Sequence, residues 1–147
     1  MKPILLAALP LLGACAVSQV GGVMHPTLSG SLSVRHADGV VTPWSPDRCV
    51  SGDLAYFAGF DFLSSQDGGQ LRAAVQPIDG PVVRWSGAAS SAPRIVRATD
   101  CSVLDVAVHP TDWHVNDVRD FAGHVEMHCL LADGLRIDGR IDVDHCH

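Results

Sequence analysis

Residues that favour helices are scarce in this chain. Lysine occurs once, at Lys2, and glutamate once, at Glu126, so almost all the charge over 147 residues is carried by aspartate and arginine. Aspartate prefers turns and caps to helix interiors, and no segment makes a convincing helix. Positive charge is short as well. Once Lys2 is set aside, nine arginines face sixteen acidic residues, a net charge near −7, which makes nucleic acid and anionic lipid surfaces poor partners. The apolar run Ile4–Leu12 is too short to span a bilayer, which takes about 20 residues. There is no G-x-S-x-G nucleophile elbow, no glycine loop placed to cradle phosphate ahead of a helix, and no internal repeat of about 20–50 residues.

What is abundant is valine, glycine, serine and aspartate, a composition of strands joined by tight turns. Asp-Gly recurs at 38–39, 67–68, 79–80, 133–134 and 138–139. Between alternating apolar segments this dipeptide marks hairpins, because it tolerates the positive φ that their turns require. Taking Ala132-Asp133-Gly134 as a three-residue loop puts Leu131–Leu135, Cys129–Ile137, Met127–Gly139, Val125–Ile141 and Gly123–Val143 on one face. The other face then holds Leu130–Arg136, His128–Asp138, Glu126–Arg140 and His124–Asp142. Apolar residues meet on the first and mostly opposite charges on the second, an agreement that a one-residue slip would destroy.

The same loop length at Ala37-Asp38-Gly39 pairs Val34 with Thr42 and Leu32 with Trp44, and at Ile78-Asp79-Gly80 it pairs Val75 with Val83 and Ala73 with Trp85. Further strands are expected in YFAGFDF (56–62), RIVRA (94–98) and VLDVAV (103–108), and a flexible loop in the serine-rich stretch 86–92. The fold class expected is all-β, an antiparallel sandwich of eight or nine strands, with a small barrel as the alternative, since both share this alternation.

The opening residues MKPILLAALPLLGAC place one positive charge, an apolar core and small residues ahead of the first of five cysteines. This is the layout of a short signal peptide. Leu12-Gly13-Ala14-Cys15 resembles the lipobox of bacterial lipoproteins. The resemblance covers the leader alone, and no family is recognised for the rest. It implies that residues 1–14 are removed, that the Cys15 thiol receives a diacylglycerol, and that Cys15 becomes an acylated N-terminus. Ala16, where aspartate would favour retention in the inner membrane, points to the outer membrane, with the domain facing the periplasm or the cell surface. Each buried lipid methylene is worth about 0.8 kcal/mol, so two or more acyl chains hold firmly. An ordinary signal peptide cut nearby would leave Cys15 removed or unpaired.

Residues 15–27 then form the lipidated N-terminus and tether, at most about 40 Å long when extended, and residues 28–147 a single domain. Setting Cys15 aside leaves Cys49, Cys101, Cys129 and Cys146, an even number in an oxidising compartment. Cys129 lies on the apolar face and Cys146 beyond it on the opposite parity, which disfavours a bond between them. Cys101–Cys129 with Cys49–Cys146 is preferred, although four cysteines permit three connectivities and the sequence does not choose among them.

Six of the eight histidines lie between His109 and the C-terminus, and HVEMHC with DVDHCH invites a zinc reading. His124 and His128 share a strand face but stand four residues apart, about 13 Å at strand rise, too far to chelate one ion together. With Glu126, Asp138 and Asp142 they read instead as a solvated charge ladder, and neither a metal nor a cofactor site is expected. The densest polar stretch is HPTDWHVNDVRD (109–120). Trp113, His114, Asn116, Asp117 and Arg119 are the candidate partner-binding residues there, on a loop of the kind that carries function. The competing view has Trp113 covering the open end of the core while Asp and Asn satisfy turn backbone.

The functional expectation is an outer-membrane-anchored lipoprotein whose β-domain is non-catalytic and serves binding or structure in the envelope. Its partners would be the membrane through the lipid and an envelope protein or ligand, not nucleic acid. An inhibitor or immunity-type lipoprotein that masks a basic toxin or hydrolase is the alternative, and a metal-binding or hydrolytic enzyme ranks third.

Overall fold

The computed structural model describes residues 27–87 and 92–147. The leader, Cys15 and the tether up to residue 26 lie outside these, as do residues 88–91 of the serine-rich stretch. Among the described residues alternation has produced ten strands: β1 (Thr27–Arg35), β2 (Val41–Trp44), β3 (Arg48–Ser51), β4 (Gly59–Leu63), β5 (Gln70–Gln76), β6 (Gly80–Ser86), β7 (Arg94–Val96), β8 (Cys101–Val115), β9 (Val118–Leu130) and β10 (Arg136–Cys146). Only two single turns of 3-10 helix interrupt them, Gly52–Ala55 and Ala98–Asp100. β1 takes in Thr27, the residue at which the tether was expected to end.

The strands form two five-stranded antiparallel sheets, β2-β1-β10-β9-β8 and β3-β4-β5-β6-β7. They face each other as a sandwich and do not close into a barrel. The second sheet is a simple meander. The first is assembled from both ends of the chain, because β1 lies along β10 in a nine-residue register from Thr27↔Asp144 to Arg35↔Arg136.

Between the sheets, Phe60, Phe62, Leu71 and Val83 on one side meet Leu32, Val125, Met127, Ile137 and Ile141 on the other, all fully buried. Burying each such side chain is worth about 1.5–3 kcal/mol. Trp44 and Trp85 close one end edge to face, their ring centroids 4.9 Å apart.

The β9–β10 hairpin has the register read from the sequence, from Arg136↔Leu130 to Val143↔Gly123. So does β1–β2, with Val34↔Thr42 and Leu32↔Trp44. The β5–β6 hairpin differs: the pairs are Ala73↔Val83, Leu71↔Trp85 and Val75↔Pro81, two residues away from expectation. Pro77, whose ring presets φ for the first corner of a turn, begins the loop one residue early, and Gln76 faces Gly80. A shift of two preserves parity, so Val83 and Trp85 still point inward.

Four of the Asp-Gly glycines, Gly39, Gly68, Gly80 and Gly134, sit at positive φ in or beside turns. Gly139 lies inside β10, at φ 142°. There, as at Gly30 on the neighbouring strand β1, the seam is so close that a Cβ would meet a backbone oxygen, that of Ser31 and of Arg140 respectively.

Two disulfides join the four cysteines, Cys49–Cys146 and Cys101–Cys129. The first links β3 to β10 across the core, and the second staples β8 to β9. The parity argument for Cys146 requires correction. Between Val143↔Gly123 and Cys146↔Phe121 the register slips by one residue, with His145 in the left-handed region at φ 61°, and this bulge turns Cys146 inward to full burial.

Chain-entropy reasoning ranks the two bonds. Cys49–Cys146 closes 97 residues and Cys101–Cys129 closes 28, worth about 4.7 and about 3.6 kcal/mol respectively. Urea unfolding of the oxidised proteins should therefore show the double replacement Cys49→Ala/Cys146→Ala to be the more destabilising of the two.

Candidate functional site

The segment 109–120 is not a loop. β8 and β9 run through it and end in a two-residue turn, Asn116-Asp117, between paired Val115 and Val118. Both turn residues have positive φ, 50° and 65°, as a type I′ hairpin requires, and Asn and Asp tolerate that conformation. The result is a hairpin arm at one end of the sandwich.

An irregularity at the base of the arm sets where Trp113 goes. Between Pro110↔Phe121 and His114↔Arg119, β8 spends Thr111, Asp112 and Trp113 against the single residue Asp120. Trp113 is 51% exposed, so it does not cover the core. Asp120 organises the bulge although its own residue is only 1% exposed. Its Oδ2 accepts from Thr111 Oγ1 at 2.7 Å and from His145 Nδ1 at 2.8 Å, while Oδ1 has no partner among the described residues.

The hydrogen bond that His145 donates to Asp120 is the main reason the His145 pKa is raised, and Asp144 adds to it. The other side of the base is held by the first 3-10 turn. The Arg119 backbone N–H donates to Asp53 Oδ2 at 2.8 Å, and Ser51 Oγ donates to the Arg119 carbonyl at 2.6 Å. The arm is thus clamped to β10 and to the β3–β4 connection, with Trp113, His114, Asn116, Asp117 and Arg119 all exposed.

The histidine ladder lies elsewhere, on the outer face of the first sheet. His128 Nδ1 is 3.2 Å from Asp138 Oδ1, and Arg140 reaches Glu126 at 3.1 Å, as the register implied. His124 instead bonds Asp105 of β8 at 2.9 Å, a neighbour the hairpin alone could not reveal. Arg140 turns to Asp142, and its hydrogen bonds there hold the Asp142 carboxyl below the usual carboxylate range. Among the described residues no three His, Cys, Asp or Glu side chains converge on a point that could hold a metal ion.

His128 and Asp138 line an open depression of about 180 Å³ with Arg136 and Leu130. A larger groove of about 470 Å³ lies at the end opposite the arm, beside Trp44, Trp85, His36 and Asp67, and there the buried Trp44 indole N–H has no partner among the described residues.

Sequence reasoning missed the Thr111–Asp120–His145 clasp and the exposure of Tyr56 at the foot of the arm, having placed Tyr56 within a strand. The only local signal for the turn was Asn116-Asp117 between valines. The clasp depends on contacts between residues far apart in sequence, which no local pattern carries. Comparison with protein-family models, with curated proteins and with solved structures finds no match, so the functional reading rests on these residues themselves.

Two measurements test this geometry. His145 has a folded-state pKa above its ordinary 6.5, so the stability it contributes is complete below that value and is lost as pH climbs through the raised one. The stability advantage of the native protein over His145→Asn, measured by urea unfolding from about pH 5.5 to about pH 9, should shrink as pH rises. Trp113→Ala, by contrast, should stay within about 0.5 kcal/mol of the native protein, because the ring is half in solvent.

Proposed function

We propose that this protein is a lipoprotein anchored in the bacterial outer membrane through acyl chains on Cys15, and that its β-sandwich is a non-catalytic module for binding or structure in the envelope. The observation that carries the reading is the pairing of the cysteines. Cys49 bonds Cys146 and Cys101 bonds Cys129, so the cysteine left over is the one that follows Leu12-Gly13-Ala14. Disulfides belong to oxidising compartments, and a small domain with two of them and one terminal cysteine matches what export and acylation together require.

A binding role is supported by the arm. It is braced at its base by buried groups yet exposes Trp113, and an exposed aromatic on a rigid support is a common interface anchor. The non-catalytic reading is supported by the ladder, whose His–carboxylate pairs lie on an open sheet face rather than in a cleft that could exclude water from a reaction. The inhibitor or immunity-type alternative is favoured by the acidic residues around the arm, Asp112, Asp117 and Asp53, which suit a basic partner.

Intact mass of the native protein, before and after reduction, and membrane fractionation together test the anchor. The expected mass exceeds that of residues 15–147 by acyl chains and rises on reduction by the hydrogens of two disulfides, and Cys15→Ser should move the domain from membranes to the soluble fraction. A soluble native protein with no mass beyond its amino acids and four free thiols would overturn the reading.

A further inference from the structure

The arm does not stand alone at its end of the sandwich. The Arg119–Asp53 and Ser51–Arg119 hydrogen bonds place the turn Gly52–Ala55 beside it, and the bond from Val75 N–H to the Ala58 carbonyl (2.9 Å) puts the β5–β6 loop at the same end. Each connection presents a large apolar side chain to solvent. Tyr56 is 99% exposed, Ile78 95%, Leu54 62%, and Trp113 stands beyond them. The first three are the most exposed of all the large apolar residues described. At the opposite end the most open large apolar residues described are Leu130 at 55%, Val40 at 52% and Val41 at 47%, each less exposed than those three.

Tyr56 adds an independent sign. Its backbone lies in the left-handed region at φ 59°, where glycine or asparagine is at ease and a bulky residue is not. A strained position that holds a side chain with essentially no contact in its own domain points to a use outside it. Carboxylates flank the apolar tips in the chain: Asp53 precedes Leu54, Asp79 follows Ile78, and Asp112 precedes Trp113, with Asp117 at the turn. The basic groups near these carboxylates are Arg119 and His114 on the arm, with Arg84 and Arg97 lining a groove beside Asp79.

Building on the envelope-binding reading above, we propose that these three connections form one docking tip, whose occupant is a protein with an apolar pocket rimmed by lysine or arginine. Apolar anchors in the middle with charge at the margin is the arrangement of protein interfaces, and the acidic margin steers a basic partner. A bilayer is the competing occupant, since β1, the first described strand, begins near this end at Thr27↔Asp144. Surface-seated membrane elements carry lysine and arginine on their polar face, and this tip carries the reverse.

The test places a photo-crosslinking amino acid singly at Tyr56, Ile78 and Trp113, and at Ser31 and Arg84 on the outer sheet faces, in full-length protein in native envelopes. Support requires one and the same protein adduct from all three tip positions, identified by mass spectrometry as basic at its contact surface. Its yield should fall about tenfold, the low end of what steering supplies, in Asp79→Asn/Asp112→Asn/Asp117→Asn. All the residues changed are exposed, and native cysteine pairing in each variant confirms folding.

Adducts to lipid, or binding of the soluble Cys15→Ser protein to phosphatidylcholine vesicles through the tip, overturn the proposal in favour of a bilayer. Different adducts at each tip position, or yields indifferent to the carboxylates, overturn it as well. An adduct from Ser31 or Arg84 with none from the tip overturns the docking tip and leaves the envelope-binding reading standing, whereas no adduct from any position overturns both.

Discussion

The seam between β1 and β10 is the constraint on which the rest of the domain depends. It joins the first and last described strands over nine residue pairs, and without it the β1–β2 hairpin and the β8–β9–β10 meander would be separate two- and three-stranded pieces, neither with a face wide enough to cover the other sheet. The close approach at Gly30 and Gly139 permits the pairing. The entropy of bringing such distant segments together grows only slowly with separation, and burial of Leu32, Ile137 and Ile141 offsets it. Cys49–Cys146 then fixes the far end of β10 to the opposite sheet.

The same few residue types do different work according to where the sandwich puts them. Aspartate is a turn former at Asp38 and Asp133, whose carboxylates accept from the backbone two residues on. It is one half of a bidentate ion pair at Asp61, bonded by Arg72 at 2.7 and 2.8 Å. At Asp120 it is a buried fastener for the arm. A chain with one glutamate and one lysine builds most of its polar contacts from short carboxylates, forked guanidinium groups and histidines, which bond neighbouring backbone or the adjacent strand and seldom reach further.

Much of the fold was legible in the sequence because strand alternation and turn chemistry are local. The β9–β10 pairing from Leu130↔Arg136 to Gly123↔Val143 followed from apolar residues needing the same face and from what Asp133-Gly134 can adopt. The preferred cysteine pairing agrees with the structure, although the parity assigned to Cys146 does not. The arm was legible as a polar segment with an aromatic in it, but not as a hairpin. Its bulge at Thr111–Trp113 interrupts the alternation by which strands are recognised, and its support comes from Asp53 and His145, residues far away in the chain.

By itself the sequence determined most of the strands, which face of each is apolar, and most of the turns, since these follow from a period of two and from the φ angles that glycine, asparagine and aspartate allow. Tertiary structure alone decided that β1 meets β10, that a bulge at His145 turns Cys146 inward to meet Cys49, and that Leu54, Tyr56, Ile78 and Trp113 share one end of the molecule. Those outcomes depend on how two sheets stack and where their strands slip, and a side chain's exposure belongs to the packed pair of sheets, not to any stretch of chain.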